Sequence, residues 1–277
     1  MEKEAVMGGH VRERRFVFAV GGLLLVGMLL GQLWVADDLQ AAARQRLMFP
    51  LVRHAFPPLP GTPGLHGIDN GDGDGNYTVR WDAAERADEY ELQEQWQGGD
   101  WLTAYRGSTA QVELRDRPAG SYAYRCRGHN SWGYGQWSNA QGTTVQGRAP
   151  GTISRPGSSS VSADGNAVVK VINDCPYALR LTFTGAEPKG MELPKCDVCH
   201  VYSFIGPFFC PTTGRPVDET RLLPGTYRVY VTVSDPSVRP YVGHWDLSGD
   251  RRYTVCFYIL QTWGSSPAPT HELRPCQ

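Results

Sequence analysis

Residues 16–35, FVFAVGGLLLVGMLLGQLWV, constrain the chain most, because Gln32 is their only strongly polar side chain. A helix of about 20 residues rises about 30 Å, which matches the thickness of a bilayer core. A single span must pair its own backbone groups, and only a helix does so. We therefore expect a transmembrane anchor over residues 16–36.

The charges beside this segment predict its orientation. Three arginines precede it and two aspartates follow it, namely Arg12, Arg14, Arg15, Asp37 and Asp38. An excess of basic residues marks the cytoplasmic side, so residues 1–15 are predicted to be a cytoplasmic tail. A cleaved signal peptide ending near Ala41–Ala43 is the alternative. Both interpretations export the rest of the chain, which we expect to be extracellular or periplasmic, as in a single-pass cell-surface protein.

The exported part is predicted to be all-β. Residues 37–61 include most of the Pro-rich sequence AFPPLPGTPG, which is residues 55–64, and are expected to be a spacer. Residues 62–146 and 167–277 both show short alternating segments bounded by Gly, Pro, Asn and Asp, a pattern typical of β-sandwiches. Residues 147–166 are rich in Gly, Ser and Pro and are predicted to be a linker. The fold class expected is two sandwich-like domains behind one transmembrane helix.

The first block resembles a fibronectin type III domain over residues 62–146. Trp81 in YTVRW matches the core tryptophan of the second strand, and Tyr90 matches the aromatic residue that opens the third. Leu114 and Tyr122 resemble the tyrosine-corner pair, although their spacing is longer than usual. The resemblance implies a binding or spacer role and no chemistry. Cys126, where the family places an apolar residue, is expected to be a buried thiol.

Six of the seven cysteines lie in the second block, and we predict that they form disulfides. They are Cys175, Cys196, Cys199, Cys210, Cys256 and Cys276. An even number of clustered cysteines in an exported domain favours a disulfide framework. Cys175 and Cys256 fall on predicted strands and are candidates to cross the sandwich, whereas Cys276 would hold the C-terminal tail.

The sequence LPKCDVCH offers two alternatives to disulfides. Cys196, Cys199 and His200 spell the attachment motif of haem c, which would make the chain an electron carrier. A zinc ion held by Cys196, Cys199, Cys210 and one further residue is the other alternative. Disulfides are favoured because they account for all six cysteines together, and because no helix is predicted around the motif to enclose a haem.

The sequence DNGDGDGN at residues 69–76 places Asp69, Asp72 and Asp74 among glycines. Alternating carboxylates suit Ca²⁺, but no register of this segment matches the calcium-loop pattern. Asp and Gly also build tight turns, and a turn is required before the predicted strand at residue 77. The segment is therefore predicted to be a turn, with weak calcium binding as the alternative.

We expect a non-enzymatic protein without a cofactor, acting in adhesion, recognition or scaffolding. No motif for a catalytic serine, a phosphate-binding loop or a metalloprotease occurs in the sequence. The net charge of −1 does not favour nucleic acid, so the expected partners are the membrane and a protein or glycan. A further alternative is an accessory subunit of a membrane complex, because Gly27-x-x-x-Gly31 suits helix pairing.

Overall fold

The computed structural model describes residues 58–209, 211–262 and 270–276, which all belong to one compact unit. These residues form strands and turns, so the all-β prediction is confirmed for them. Within these ranges there is no helix that is long and apolar enough to cross a membrane. The anchor expected at residues 16–36 and Cys210 lie outside the described residues.

The first sandwich has seven strands in two sheets. They are β1 (Tyr77–Arg80), β2 (Glu89–Trp96), β3 (Trp101–Gly107), β4 (Gln111–Leu114), β5 (Gly120–Asn130), β6 (Gly133–Tyr134) and β7 (Gln141–Val145). One sheet pairs β1 with β4, and a bridge from Leu65 to Trp81 extends it. The other has the order β3-β2-β5-β6, with β7 also on β5. All these pairs are antiparallel, as the resemblance implies.

The aromatic residues that carried the resemblance build the core of this sandwich. Trp81 and Tyr90 are buried and pack edge to face, with their ring centroids 5.6 Å apart. Tyr122 forms the expected corner, because its hydroxyl donates to the carbonyl oxygen of Pro118 at 2.7 Å. The longer spacing from Leu114 has therefore not disrupted the corner. Cys126 is a fully buried free thiol, as predicted.

The second sandwich packs a five-stranded sheet on a six-stranded sheet. The first sheet has the order β12-β11-β15-β16-β8, and the second has β13-β17-β10-β14 with β9 and β18 on β17. Their strands are β8 (Gly151–Ile153), β9 (Ser158–Ser160), β10 (Ala167–Asp174), β11 (Leu179–Gly185), β12 (Lys189–Leu193), β13 (Tyr202–Ser203), β14 (Val217–Leu222), β15 (Gly225–Val233), β16 (Tyr241–Leu247), β17 (Arg251–Thr262) and β18 (Thr270–Cys276).

The predicted linker differs from the structure. Residues 147–166 contain β8, which pairs with β16, and β9, which pairs with β17. Ile153 in β8 is 2% exposed and belongs to the core of the second sandwich. The Gly, Ser and Pro composition indicated turns correctly, but it hid two short edge strands that belong to the second domain.

Both sandwiches use the same corner device. The hydroxyl of Tyr227 donates to the carbonyl of Leu223 at 2.8 Å, four residues earlier, as Tyr122 does in the first sandwich. A glycine precedes each tyrosine by two positions, with φ of 154° at Gly120 and 152° at Gly225. L-residues rarely adopt these angles, so both positions require glycine. The local sequences Gly-Ser-Tyr and Gly-Thr-Tyr encode this turn.

A buried charge joins the two sandwiches. Glu94 on β2 is fully buried, and its Oε2 accepts hydrogen bonds from Arg117 Nε at 2.7 Å and from the Tyr124 hydroxyl at 2.8 Å. Its Oε1 accepts a bond of 2.6 Å from the hydroxyl of Tyr230, which lies on β15 of the second sandwich. Burial first, and the charge of Glu94 second, raise the pKa of both tyrosines, so their hydroxyls remain donors.

Further polar contacts surround this junction. Asp116 of the first sandwich pairs with Arg180 on β11, and Arg106 Nη1 donates to the carbonyl of Ala186 at 3.3 Å. Tyr230 and Val242 belong to the same buried cluster as the aromatic core of the first sandwich. The junction therefore combines apolar packing with a satisfied ion pair, and we expect the two sandwiches to unfold together.

The junction predicts a large effect of Glu94→Gln. This change leaves the buried Arg117 without its counter-charge, and breaking such a pair costs about 3–5 kcal/mol. Glu113→Gln is the matched control, because Glu113 pairs with Arg115 at 2.7 Å with both side chains more than half exposed. Its loss should cost less than about 1 kcal/mol. Urea unfolding of the full-length chain measures both values, and equal losses would contradict this description of the junction.

Candidate functional site

The segment between β12 and β14 presents the largest group of exposed apolar side chains in the described residues. We call residues 196–215, of which 210 is not described, the apolar loop. The exposed fractions of its apolar side chains are 65% for Val198, 79% for Phe204, 66% for Ile205, 81% for Phe208 and 85% for Phe209. Single exposed apolar residues are common, but a group of five within twelve positions is typical of a contact surface.

Asp174 attaches both halves of the apolar loop to the sandwich. This residue ends β10 and is fully buried. Its Oδ2 accepts a hydrogen bond of 2.7 Å from the Tyr202 hydroxyl, and its Oδ1 accepts one of 2.9 Å from Arg215 Nε. Burial, and then the bond to Asp174, raise the pKa of Tyr202 to about 12, so this hydroxyl remains a donor. The exposed tip is thus carried by a fixed base.

The base of the loop is also cross-linked. A disulfide joins Cys196 to Cys199, and the amide of Cys199 donates to the carbonyl of Cys196 at 3.2 Å. The amide of Cys196 donates to the carbonyl of Cys175 at 3.0 Å, which links the turn to the end of β10. Cys196 is 2% exposed, so the covalent link is part of the packed base.

The other described cysteines of the second block lie on or beside the strands of the six-stranded sheet. Cys175 forms no disulfide with a described residue, and its Sγ lies 3.2 Å from the carbonyl oxygen of Phe257. A disulfide from Cys175 across the sandwich was expected, and a buried thiol is found instead. Cys256 and Cys276 are register partners on β17 and β18, beside the loop. Because Cys210 lies outside the described residues, the complete pairing stays a prediction.

The apolar loop packs on the ring of Tyr258, which lies on the sheet below it. Tyr202 on β13 pairs with Leu260 on β17, and its ring packs edge to face on Tyr258 at 5.5 Å. Gly206 lies directly on the ring of Tyr258, since a Cβ at this position would be 2.2 Å from a ring carbon. A side chain at this position would therefore push the loop away from the sheet.

Phe204 holds an unusual backbone conformation within the loop. Its φ is 70°, in the left-handed region, whereas the other described non-glycine residues with positive φ are all polar or charged. A bulky residue in this region costs about 1–3 kcal/mol and persists where the surrounding structure imposes it. Such strain is concentrated at functional sites.

The disulfide between Cys196 and Cys199 leaves neither sulfur free for the haem or zinc site considered from the sequence. In the structure the sulfurs of Cys196 and Cys199 are bonded to each other, so in this state neither is available for a thioether bond to haem or as a thiolate ligand. A carboxylate oxygen of Asp174 and both sulfurs lie within 4.8 Å of one another. That carboxylate already accepts bonds from Tyr202 and Arg215, which commits it to holding the loop.

The Asp-rich segment forms turns. The carboxylate of each aspartate accepts a bond from the amide two residues later, at 3.3 Å for Asp69, 3.3 Å for Asp72 and 2.7 Å for Asp74. These are Asx turns, the arrangement that favours Asp in such loops. The three side chains therefore serve the turn before β1, and weak calcium binding stays an untested alternative.

A second ordered surface, which was not predicted, lies on β5 of the first sandwich. Rings and guanidinium groups alternate there in the order Trp101, Arg125, Trp137, Arg127, Tyr134. The four separations between guanidinium carbon and ring centroid are 4.4, 4.5, 4.2 and 3.8 Å. Trp137 therefore has a packing role. The alternation of Arg at 125 and 127 was visible in the sequence, but its aromatic partners are distant in the chain.

Glu91 supports this stack from β2. Its Oε2 accepts bonds from Arg127 at 2.8 and 2.6 Å, and its Oε1 accepts one from Thr103 at 2.8 Å and one from Arg106 at 3.0 Å. Burial alone would raise the pKa of Glu91, but these hydrogen bonds together hold it below its ordinary value. Arg127 is thus held by Glu91, and Arg125 donates to Gln93 Oε1 at 3.0 and 2.7 Å, so the stack is a structural surface.

Comparison with known proteins finds similarity to solved structures over about a third of this chain. No family model matches the chain, and no curated protein matches it. The first sandwich is fibronectin type III-like. This description rests on the strand order, the core tryptophan and the tyrosine corner given above.

Solved structures similar to the chain include fibronectin type III domains. FN3tt is 16% identical, covering 32% of this chain and 96% of that one, with a TM-score of 0.27. An Fn3-like protein from Clostridium thermocellum is 15% identical, with coverages of 33% and 96% and a TM-score of 0.26. The sixth type III domain of human fibronectin type III domain containing protein 3 is 20% identical, with coverages of 34% and 91% and a TM-score of 0.27.

The state of the sulfurs is open to direct measurement. We expect iodoacetamide to leave Cys196 and Cys199 unmodified in the denatured, unreduced full-length chain, and to modify both after reduction. Cys126 is the internal control, because it is a free thiol that denaturation exposes. Peptide mass spectrometry reads all three sites. Modification of Cys196 and Cys199 without reduction, or a haem adduct with a Soret band, would contradict the disulfide.

Proposed function

We propose that this chain is a non-enzymatic, membrane-anchored binding or scaffold protein that holds a partner protein through its apolar loop. The observation that carries the proposal is the exposure of Phe204, Ile205, Phe208 and Phe209 on a base fixed by Asp174 and the disulfide. Burying one such side chain contributes about 1.5–3 kcal/mol. A few fully buried anchors of this kind supply most of the energy of a protein interface.

The fixed base of the apolar loop positions its exposed side chains and also favours a higher affinity for the partner. Binding orders a mobile loop at a cost of about 0.5–1.5 kcal/mol for each immobilised side chain, and a loop held beforehand avoids part of that cost. The contacts of Asp174, the disulfide between Cys196 and Cys199, and the packing of Gly206 on Tyr258 hold the loop in the absence of a partner. The disulfide also supports export, since disulfides persist in oxidising compartments.

The charges around the loop favour a protein over an anionic membrane surface. Lys195 pairs with Asp197 at 3.0 Å at its base, and Arg215 is engaged by Asp174. On the adjacent strand β14, Asp218 and Glu219 are exposed. An apolar centre with a rim of mixed charge is the usual anatomy of a protein interface, whereas binding to anionic lipid requires a basic cluster.

Photo-crosslinking in the native cell tests the proposal. A benzophenone amino acid replaces Phe208 in the full-length chain, and the same amino acid replaces Trp132, which is 56% exposed on the first sandwich, as the control. We expect a discrete protein adduct from position 208 that is absent from position 132. Adducts to lipid alone, or none, would contradict a protein partner at the loop.

The double change Phe208→Ser and Phe209→Ser should separate binding from folding. Both side chains are more than 80% exposed, so the free energy of unfolding should change by less than about 0.5 kcal/mol. Affinity for the cross-linked partner should fall at least about tenfold, as for hot-spot residues. Trp132→Ser is the control and should leave affinity unchanged. Unaltered affinity in the double variant would contradict the assignment of the site.

Phe204→Gly tests whether backbone strain belongs to the site. Glycine adopts φ of 70° without steric cost, so the variant should be as stable as the wild type or more stable. It should also bind the partner more weakly, because one exposed ring is lost. Thermal unfolding and the binding measurement above provide both values. A clear loss of stability would mean that Phe204 has a structural role in the loop.

A further inference from the structure

Arg228 is a buried cation at the junction between the sandwiches. It lies on β15 and is 5% exposed. Its neighbour Tyr227 is in the core of the second sandwich, so Arg228 points to the opposite face of the sheet, as Tyr230 does. Tyr230 reaches Glu94 across the junction, which places Arg228 beside the first sandwich as well.

The guanidinium of Arg228 has no counter-charge among the described residues. Its Nη2 lies 3.4 Å from the carbonyl oxygen of Asp100, a long contact, and its Nη1 is buried without any hydrogen-bond partner. The other buried arginine of this junction, Arg117, has the carboxylate of Glu94 at 2.7 Å. A buried charge without an ion pair is unfavourable, so a buried arginine whose Nη1 has no acceptor is suited to bind an anion.

Two further buried polar atoms beside Arg228 also lack partners. Thr184 on β11 is the register partner of Arg228, is fully buried, and leaves its Oγ1 without a hydrogen bond. Trp96 of the first sandwich leaves its Nε1 without one, and its ring centroid lies 5.8 Å from the guanidinium carbon of Arg228. Buried polar groups are nearly always satisfied, so the unpaired Nη1 of Arg228, which lines a cavity, points to an absent ligand or ordered water.

A cavity of about 390 Å³ adjoins Arg228 and Trp96, whereas Thr184 lies on the other side of Arg228, on β11. Trp96 and Gly99 line it from the first sandwich, and Arg228, Gly243 and His244 line it from the second. His244 is exposed and is the register partner of Arg228 on β16, so it stands at the mouth on the same face of the sheet. Arg228 forms the buried part of the wall, and the exposed residues Asp100 and His244 line the cavity toward solvent.

We propose that this cavity binds a small oxyanion, a carboxylate or phosphate group, with Arg228 as its principal partner. The planar guanidinium offers parallel N–H donors that match two oxygens of such a group. The site draws residues from both sandwiches, so the anion would also link them. The proposal concerns the junction and is independent of the apolar loop.

Fluorine NMR of the full-length chain labelled with 5-fluorotryptophan tests the proposal. The resonance of Trp96, one of eight tryptophans, is assigned with Trp96→Phe and followed while sodium acetate, phosphate or sulfate is added at constant ionic strength. We expect a saturable shift of this resonance. A stronger response to acetate indicates a carboxylate ligand, and a stronger response to phosphate or sulfate indicates a phosphate ligand.

Variants of Arg228 decide whether the response belongs to this site. Arg228→Gln should weaken binding at least about tenfold, the scale of one charge-assisted hydrogen bond. Arg228→Lys keeps the charge but loses the planar guanidinium, so it should bind the anion more weakly than the wild type. This variant provides the test if Arg228→Gln does not fold. Arg221→Gln is the control, since Arg221 is 62% exposed and lies 3.7 Å from Asp164. The Arg221→Gln variant should bind the anion with the affinity of the wild type.

Three results would overturn the proposal. A linear response without saturation would mean an adventitious ion only, with water satisfying the buried donors. A saturable response of equal affinity in the Arg228 variants would place the anion elsewhere. A saturable shift confined to tryptophans other than Trp96 would do the same.

Discussion

The buried carboxylate of Glu94 is the interaction on which the arrangement of the two sandwiches depends. It is fully excluded from solvent and accepts hydrogen bonds from Arg117 and Tyr124 of its own domain and from Tyr230 of the other. Without the second sandwich, this ion pair would lose one of its three donors and part of its apolar cover. Together with the apolar packing and the polar contacts around it, this carboxylate holds the two sandwiches in one arrangement.

The same physical device recurs at the apolar loop. There the buried carboxylate is Asp174, and its donors are again an arginine and a tyrosine, Arg215 and Tyr202. Glu94 fixes the two sandwiches relative to each other, and Asp174 fixes the apolar loop on the second sandwich. A buried charge is costly unless it is satisfied in one geometry, and this requirement supplies orientation where apolar packing alone would allow several arrangements. The exposed phenylalanines are thus presented on a rigid frame.

The alternating segment YTVRW predicted β1, whose buried residues Tyr77 and Val79 lie on one face. β14 and β16 break this alternation for local reasons. β14 (VDETRL) is largely polar because it lies at a sheet edge, and β16 carries Gly243, where a Cβ would be 2.9 Å from Ile153. The cysteine motif was located from sequence, whereas the exposure of Phe208 depends on where Tyr258 and Asp174 hold the loop.

The central claim is that the apolar loop is a protein-binding surface on a rigid two-domain body. Hydrogen–deuterium exchange of the full-length chain, isolated from its native cells with its partners bound and again after purification to homogeneity, tests it most directly. The account predicts that amides of residues 198–209 exchange slowly in the first preparation and faster after purification, while β10 and β17 are unchanged. Equal exchange of the loop in the two preparations would contradict the claim.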